Sequence, residues 1–115
     1  MLRGEIRVVD FGLGSGMDAS TTRPAVVVSN DAANAAATRL GRGVITVVPV
    51  TPYVEHVHPF QVLLPAEDTG LPRDAKAQAE QVRAVAVERV GRRVGALSAG
   101  QIQGLDEALR THLAL

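Results

Sequence analysis

The chain has 115 residues, of which 46% are hydrophobic and 21% charged, a balance that is typical of a globular domain and excludes a disordered or fibrous protein. Twelve basic residues offset twelve acidic ones, so the overall charge gives no argument for a nucleic-acid partner. Cysteine is absent, which excludes disulfides and thiolate metal sites.

The first third of the chain alternates between strand-like and turn-like segments. Residues 4–10 alternate apolar with polar positions and predict a strand, whereas glycines and hydroxyl side chains over 12–22 predict a long mobile loop. Residues 24–29 are rich in β-branched side chains and predict a buried strand. Asn30 then caps a short helical turn over 32–38.

Prolines and glycines organise the middle of the chain. Residues 44–48 predict a third strand that Pro49 ends, and a loop over 51–59 follows. Turn-forming residues fill 68–74. The remaining strand-like segments are four short stretches: 60–64, 75–79, 81–87 and 92–97.

Ser98 begins the one long helix that the sequence predicts. Ser98 with Gln101 three residues later matches the capping box, in which the two residues satisfy each other's backbone N–H groups. One apolar stripe follows at helical spacing, formed by Ile102, Leu105, Leu109 and Leu113. We therefore expect a mainly β protein with a C-terminal helix, most simply a small, strongly curved barrel in a single domain over residues 1–115.

The sequence also bears on the compartment. No apolar run is long enough to cross a bilayer, and the first residues lack the apolar stretch of a secretion signal. Nothing in the composition points to an oxidising environment. We therefore expect a cytoplasmic protein without membrane contact.

Two familiar kinds of site are rejected by their context. The glycines from Gly12 to Gly16 resemble a phosphate-binding loop, but a strand rather than a helix follows them, which argues against a dinucleotide site. His56 and His58 share a loop, and the third imidazole, His112, lies on the distant helix. Exposed loop histidines explain this pattern better than a metal centre does. We expect neither a metal nor another cofactor.

An arginine and a threonine each stand where a loop meets a strand. Arg23 precedes the strand over 24–29, and Thr51 follows the third strand. Strand ends are rigid, so both side chains can be held in a fixed geometry beside the long loop. Two plainer interpretations remain open, with Arg23 as a surface cation and Thr51 as a turn residue that bonds its own backbone.

Successive blocks of the sequence resemble the MazF/PemK toxins. In chain order the blocks are Arg3–Ile6, Arg23–Asp31, Val47–Thr51, Ala79–Arg83 and Leu105–Leu109. Their order and spacing fit the family over nearly the whole chain. The combination of RPAVVVSND with VVPVT and AEQVR is specific to it.

The resemblance implies a small SH3-like barrel of the type shared by MazF and CcdB toxins, assembled as a homodimer. It implies a metal-independent endoribonuclease that cuts single-stranded RNA at a short sequence and leaves 2′,3′-cyclic phosphate and 5′-hydroxyl ends. Arg23 and Thr51 fall on the family's catalytic positions, and Asn30 and Gln81 fall on positions that contact RNA. The implied partner is an antitoxin of the MazE type, which occupies the same groove.

The chain departs from the family in the first loop and the first strand. Where the family carries Gly-Ser-Glu, this chain has Gly16-Met17-Asp18, so Asp18 supplies the acid on a shorter side chain. Arg7 replaces an aromatic residue. Both changes bear on which RNA sequence is cut and leave the two catalytic positions intact. Tyr53 is a further candidate for stacking on a base, with simple packing of its loop as the alternative.

The residues suit cleavage of RNA because RNA carries its own nucleophile, the 2′-hydroxyl. A guanidinium stays protonated at neutral pH, so we expect Arg23 to stabilise charge rather than act as a base. Two other functions are weighed against this one. A CcdB-like topoisomerase poison is disfavoured by the absence of tryptophan, and a catalytically silent interaction module by the presence of both Arg23 and Thr51.

Overall fold

Short antiparallel strands followed by a C-terminal helix make up most of the described chain, which is residues 1–12 and 22–115 of a computed structural model. The strands within these residues are β1 Glu5–Asp10, β2 Thr22–Val27, β3 Val44–Thr51, β4 Gln61–Leu64, β5 Ala75–Gln78, β6 Arg83–Ala86 and β7 Val90–Ala96. The helices there are α1 Asp31–Leu40, α2 Ala66–Thr69 and α3 Ala99–Leu113, with 3-10 turns at Ala79–Gln81 and Val87–Arg89. The predicted fold class, mainly β with a C-terminal helix, is confirmed.

The long strand β3 is the centre of the sheet. Strand β2 pairs with one edge of β3, with Val26 opposite Val48. Along the other edge, β6 pairs with residues 44–47 and β5 pairs with residues 50 and 51. Strand β1 joins β2 to β7, and β4 pairs with β5. The start of β2 therefore lies at the same end of the sheet as the end of β3.

The expectation that Pro49 ends the third strand is wrong. Strand β3 continues through Pro49 to Thr51, and Pro49 is buried opposite Ala25 of β2. On its other edge, Pro49 falls between the stretch paired with β6 and the stretch paired with β5. A proline lacks an N–H and is tolerated where a ladder is interrupted. The change of partner strand supplies that interruption, so β3 runs three residues further than the sequence predicts.

Alternate residues of β3 point to opposite faces of the sheet and enter two apolar clusters. Val48 belongs to the cluster that packs against α3, which contributes Leu105. Val47 belongs to the other cluster, to which α1 contributes Ala37. Each fully buried valine or leucine stabilises the fold by about 1.5–3 kcal/mol. Burial on both faces explains why the central strands are continuous runs of β-branched residues.

The helix α3 begins as the sequence predicts. The Gln101 N–H donates to Ser98 Oγ at 3.2 Å, and the Ser98 N–H donates to Gln101 Oε1 at 2.8 Å, which confirms the capping box. Leu105 is 2% exposed, but Leu113 is 48% exposed, because the last turn extends past the apolar cluster. Leu113 therefore does not belong to the buried stripe. No helix in the described residues has the length and apolar character that crossing a membrane requires.

Two local elements differ from the sequence-based expectation. The helical turn after Asn30 is a ten-residue helix, α1, which Gly41 ends in the left-handed conformation at φ 66°. Residues 68–74 were expected to be turn only, but the short helix α2 reaches into them and ends at Gly70, with φ 87°. Glycine adopts this conformation without the steric cost that a Cβ imposes.

Candidate functional site

Arg23 and Thr51 lie at one end of the sheet, where β2 begins and β3 ends. The register that sets Ala25 opposite Pro49 aligns Arg23 with Thr51 when it is continued by two residues. The neighbour of Arg23, Pro24, lines the same cavity as Thr51. The antiparallel pairing of β2 and β3 thus brings together the two residues that the sequence singles out.

The Arg23 side chain is exposed and lies over an aromatic ring. Its guanidinium carbon is 5.4 Å from the centroid of the Phe11 ring, within the range of a cation–π contact. A second guanidinium, that of Arg83 at the start of β6, lies 5.1 Å from the same centroid. Phe11 is partly buried against the cluster that contains Val47. A ring anchored in the core therefore supports two cations at the surface.

Neither of these arginines has an ion-pair partner among the described residues. Five other arginines lie within 4.0 Å of a carboxylate oxygen: Arg3, Arg7, Arg89, Arg93 and Arg110. In the same described part of the chain, no carboxylate lies that close to Arg23 or Arg83. No described carboxylate therefore neutralises their charge, which suits the binding of an anionic ligand.

Thr51 is 7% exposed, so its hydroxyl is fixed by its surroundings. The Tyr53 N–H points to Thr51 Oγ1 at 3.4 Å, a long hydrogen bond in which the hydroxyl oxygen accepts. This contact is the backbone-bonding turn that the sequence left open for Thr51. It uses a lone pair and leaves the hydroxyl hydrogen available as a donor.

Lys76 of β5 is directly opposite Thr51 in the β3–β5 register and is only 8% exposed. Its ammonium donates to the backbone oxygen of His56 at 2.5 Å. This hydrogen bond attaches the middle of the loop over 52–60 to the sheet. Lys76 is also the one lysine of the chain.

A cavity of about 210 Å³ lies beside Thr51. Its lining is mostly apolar and consists of Pro24, Val50, Thr51, Pro52, Leu71, Pro72, Arg73 and Ala75. Apolar walls with a few polar groups at the edge are typical of sites that bind small organic molecules. Arg73 adds a cation at this edge, which the sequence did not single out.

The remaining predicted site residues are spread more widely. Tyr53 is 79% exposed two residues after Thr51, so its ring is not packed into the loop. Gln81 is exposed two residues before Arg83. Asn30 lies beyond the opposite end of β2 and caps α1 by accepting the Ala33 N–H at 2.8 Å. Asp18, with the greater part of the expected long loop over 12–22, lies outside the described residues.

For the loop histidines, the sequence favoured simple surface exposure over a metal centre. His56 and His58 are both exposed, and the His58 ring stacks on Phe60 with centroids 5.1 Å apart. Within residues 1–12 and 22–115, no three histidine or acidic side chains gather as a metal site requires.

Sequence reasoning missed four residues of the site region: Phe11, Arg73, Lys76 and Arg83. Arg83 stands in the AEQVR block, so its position was visible, but nothing in the sequence indicates that it meets Phe11. The two are 72 positions apart and come together only through the pairing of β1, β2, β3 and β6. A tertiary contact of this kind leaves no local periodicity in the sequence.

Comparisons with known proteins point to one toxin family. A family model described as a PemK-like, MazF-like toxin of type II toxin–antitoxin systems matches residues 2–113. Endoribonuclease MazF9 of Mycobacterium tuberculosis (strain ATCC 25618 / H37Rv) is 61% identical over 115 residues, covering 100% of this chain and 98% of the relative. Endoribonuclease MazF2 of Mycobacterium bovis is 31% identical over 113 residues, covering 98% of this chain and 96% of the relative.

Solved structures share the fold at lower sequence identity. Toxin MazF-mt6 of Mycobacterium tuberculosis has a TM-score of 0.75 at 22% identity, over 96% of this chain and 97% of that one. A MazE–MazF structure from Deinococcus radiodurans has a TM-score of 0.78 at 23% identity, over 100% of this chain and 96% of that one. The arrangement of strands and C-terminal helix is therefore one already seen in MazF toxins.

Proposed function

The chain belongs to the PemK-like, MazF-like toxins of type II toxin–antitoxin systems, and we therefore propose that it is an endoribonuclease that cuts single-stranded RNA at a short sequence. The observation that carries the proposal is that Arg23 and Thr51 lie at adjoining ends of β2 and β3, where Thr51 and Pro24, the neighbour of Arg23, line one cavity. A cation and a hydroxyl donor at one place can hold one phosphodiester.

In the proposed reaction the 2′-hydroxyl of the substrate attacks the adjacent phosphorus, and the bond from phosphorus to the 5′-oxygen breaks. The products are a 2′,3′-cyclic phosphate and a 5′-hydroxyl. Because the nucleophile belongs to RNA, the protein has to align it and stabilise the charge that develops on phosphorus-bound oxygens. The reaction then needs no metal-bound water.

Arg23 supplies the positive charge in this proposal. Its guanidinium stays protonated and can donate two parallel hydrogen bonds to the nonbridging oxygens. The Arg23 guanidinium lies over the Phe11 ring and has no described carboxylate partner. Its N–H groups are therefore free to donate to the phosphate. Removing a donor of this kind typically lowers kcat by about 100- to 1000-fold.

Thr51 supplies a fixed hydroxyl. Because its oxygen already accepts from the Tyr53 N–H, the hydroxyl hydrogen can turn toward a phosphate oxygen or the attacking 2′-oxygen. The apolar cavity beside it is suited to one unstacked base, and the exposed Tyr53 ring to a second. Stacking on an aromatic ring contributes about 1–3 kcal/mol per base. Gln81, Asn30 and Asp18 are proposed as further RNA contacts.

We infer that the toxin acts in the cytoplasm as a homodimer and that a MazE-like antitoxin neutralises it. A MazE–MazF structure is among the fold relatives, which supports such a partner. Large apolar side chains remain exposed on the single chain, for example Leu40 at 60% and Val44 at 62%, and a second subunit would bury part of such surface. An acidic antitoxin segment would be attracted by the unpaired arginines of the site.

The proposal is tested with a long unstructured RNA incubated with the purified protein in EDTA. We expect cuts at one short sequence, and sequencing of the 5′-hydroxyl ends identifies it. Activity that requires an added divalent cation, or products with 5′-phosphate ends, would contradict the proposed chemistry.

Two variants with matched controls test the site. Arg23→Ala and Thr51→Ala are expected to lose at least 100-fold in kcat, whereas Thr51→Ser keeps the hydroxyl and most of the activity. Arg42→Ala and Thr111→Ala change exposed residues of the same types away from the cavity and are expected to cut normally. Full activity in Arg23→Ala or Thr51→Ala would remove that residue from the site.

A further inference from the structure

The Phe11 ring brings two like charges together. Each guanidinium carbon lies within 5.4 Å of the ring centroid, so those of Arg23 and Arg83 are separated by at most twice that distance. Like charges repel, and arginines at a protein surface are usually drawn apart or toward carboxylates. The described residues offer neither arginine a carboxylate within 4.0 Å.

The arrangement has a fixed geometry. Phe11 is packed against the apolar cluster of β2, β3 and β6, and Arg83 stands opposite the buried Val47 of β3. Both arginines start from strands, so each side chain has a rigid base. The two guanidinium groups therefore share one ring in the absence of any ligand. An anion bound to both would offset their repulsion.

We propose that Phe11, Arg23 and Arg83 form a phosphate clamp, in which Arg83 binds the RNA backbone together with Arg23 and Phe11 positions both guanidinium groups. This inference rests on the proposed function and adds a binding residue to it. Arg83 contacts the scissile phosphate or the one next to it, depending on how the strand lies across the ring. Gln81, two residues earlier, then faces the base that is attached to this stretch of backbone.

Arginine suits this position better than lysine does. A guanidinium can stack on a ring with its flat face and still donate from its edge to phosphate oxygens. A lysine ammonium carries the charge but offers neither the flat face nor the forked pair of donors. The clamp is therefore expected to tolerate lysine at 83 only in part.

The test uses the full chain and an oligonucleotide that contains its cleavage sequence, with a 2′-deoxy nucleotide at the cut position so that it binds without being cleaved. Arg83→Ala is expected to weaken binding about tenfold or more. It is also expected to lower the slope of log affinity against log salt by about 0.7, the value for one phosphate contact on a single strand. Arg83→Lys keeps the slope and regains part of the affinity.

Arg42→Ala is the matched control, because Arg42 is an exposed arginine without an ion pair in the described residues and precedes β3 at the end away from Thr51. It is expected to change neither affinity nor slope. Phe11→Tyr keeps the ring and is expected to bind normally. Phe11→Leu keeps apolar volume without the ring and is expected to weaken binding although both arginines are present.

The outcomes separate this inference from the proposed function. Wild-type affinity and slope in Arg83→Ala, alongside lost cleavage in Arg23→Ala, would overturn the clamp and leave the endoribonuclease proposal standing. Wild-type affinity in Phe11→Leu would remove Phe11 from the clamp. A wild-type protein that cuts no RNA would overturn both proposals. In cleavage assays, Arg83→Ala should raise KM more than it lowers kcat, which a merely misfolded variant would not do.

Discussion

Glu5 is a half-buried carboxylate at the start of β1, with its side chain 13% exposed. Burial alone raises its pKa, but hydrogen bonds from the Leu2 backbone N–H at 3.0 Å and from Arg7 at 3.1 Å outweigh burial and lower the pKa below its ordinary value of 4.5. The charged form of Glu5 is therefore favoured in the folded chain. Arg7, which replaces the family's aromatic residue, has a structural role here.

A carboxylate with a lowered folded-state pKa stabilises the protein above its unfolded pKa, and this stabilisation is lost as the pH falls through the folded value. We expect Glu5→Gln to lower the free energy of unfolding at pH 7. The difference from wild type should shrink once the pH falls below about 4.5. Urea unfolding at several pH values between 7 and 3 measures this difference. A difference that stays constant over the range would show that the Glu5 charge is not the cause.

The sequence singled out individual candidate residues only where a local pattern marked them. Arg23 and Thr51 stand at strand ends, and the strand pattern was legible because buried β-branched runs are distinctive. Phe11 and Arg83 carry no such mark, since their meeting depends on the order of four strands. The sequence thus indicated which candidate residues stand at strand ends, but not which cations share a surface.

At the scale of elements, the close contact between α2 and β7 depends on one glycine. A Cβ at Gly95 would run into the backbone oxygen of Thr69, the last residue of α2. A backbone atom cannot move aside as the tip of a side chain can. Gly95 therefore lets β7 approach α2, which the sequence alone did not reveal because α2 itself was not predicted.

We expect Gly95→Ala to destabilise the chain by about 1–3 kcal/mol, the usual cost of overpacking. Gly104 in α3 is the control, because a Cβ there would make ordinary contacts of 3.7 and 3.9 Å with Val62. Gly104→Ala should stabilise the protein by up to about 1 kcal/mol through helix propensity. Thermal unfolding of both variants measures whether each substitution lowers or raises the stability. A Gly95→Ala variant as stable as wild type would show that β7 and α2 are free to separate.

Where a capping contact sets the end of an element, the observed boundary agrees with the sequence-based prediction. Where pairing between distant strands sets it, the boundary differs from the prediction. Ser98 and Asn30 begin α3 and α1 as predicted, because each cap is a contact between near neighbours. Pro49 did not end β3, because two different strands share that edge and leave a gap at the proline. A local rule about proline cannot anticipate which strands will flank it.

At the scale of the whole molecule, zero net charge conceals an uneven surface. Five arginines have a carboxylate within 4.0 Å, whereas Arg23 and Arg83 share the Phe11 ring and have no such carboxylate among the described residues. Two cations on one ring would therefore attract a polyanion although the chain is neutral overall. Under the proposed function, an RNA strand and an acidic antitoxin segment would both be drawn there.

We expect the purified antitoxin and the uncleavable oligonucleotide to exclude one another, because both neutralise the same arginines. The apparent Kd for the oligonucleotide should rise in proportion to the free antitoxin concentration, as measured by fluorescence anisotropy. Raising the salt concentration should weaken both complexes. A ternary complex, seen as an apparent Kd that reaches a plateau, would place the antitoxin on a separate surface.

The hydrogen bond from Lys76 to the His56 carbonyl makes Lys76, the one lysine of the chain, a reporter of loop attachment. Amine-reactive esters need an accessible nitrogen, and the 8% exposed Lys76 does not offer one while the loop over 52–60 is attached. Labelling of Lys76 would record each detachment of the loop that carries Tyr53. The speed of that labelling would give the opening rate of the wall beside Thr51 without any engineered probe.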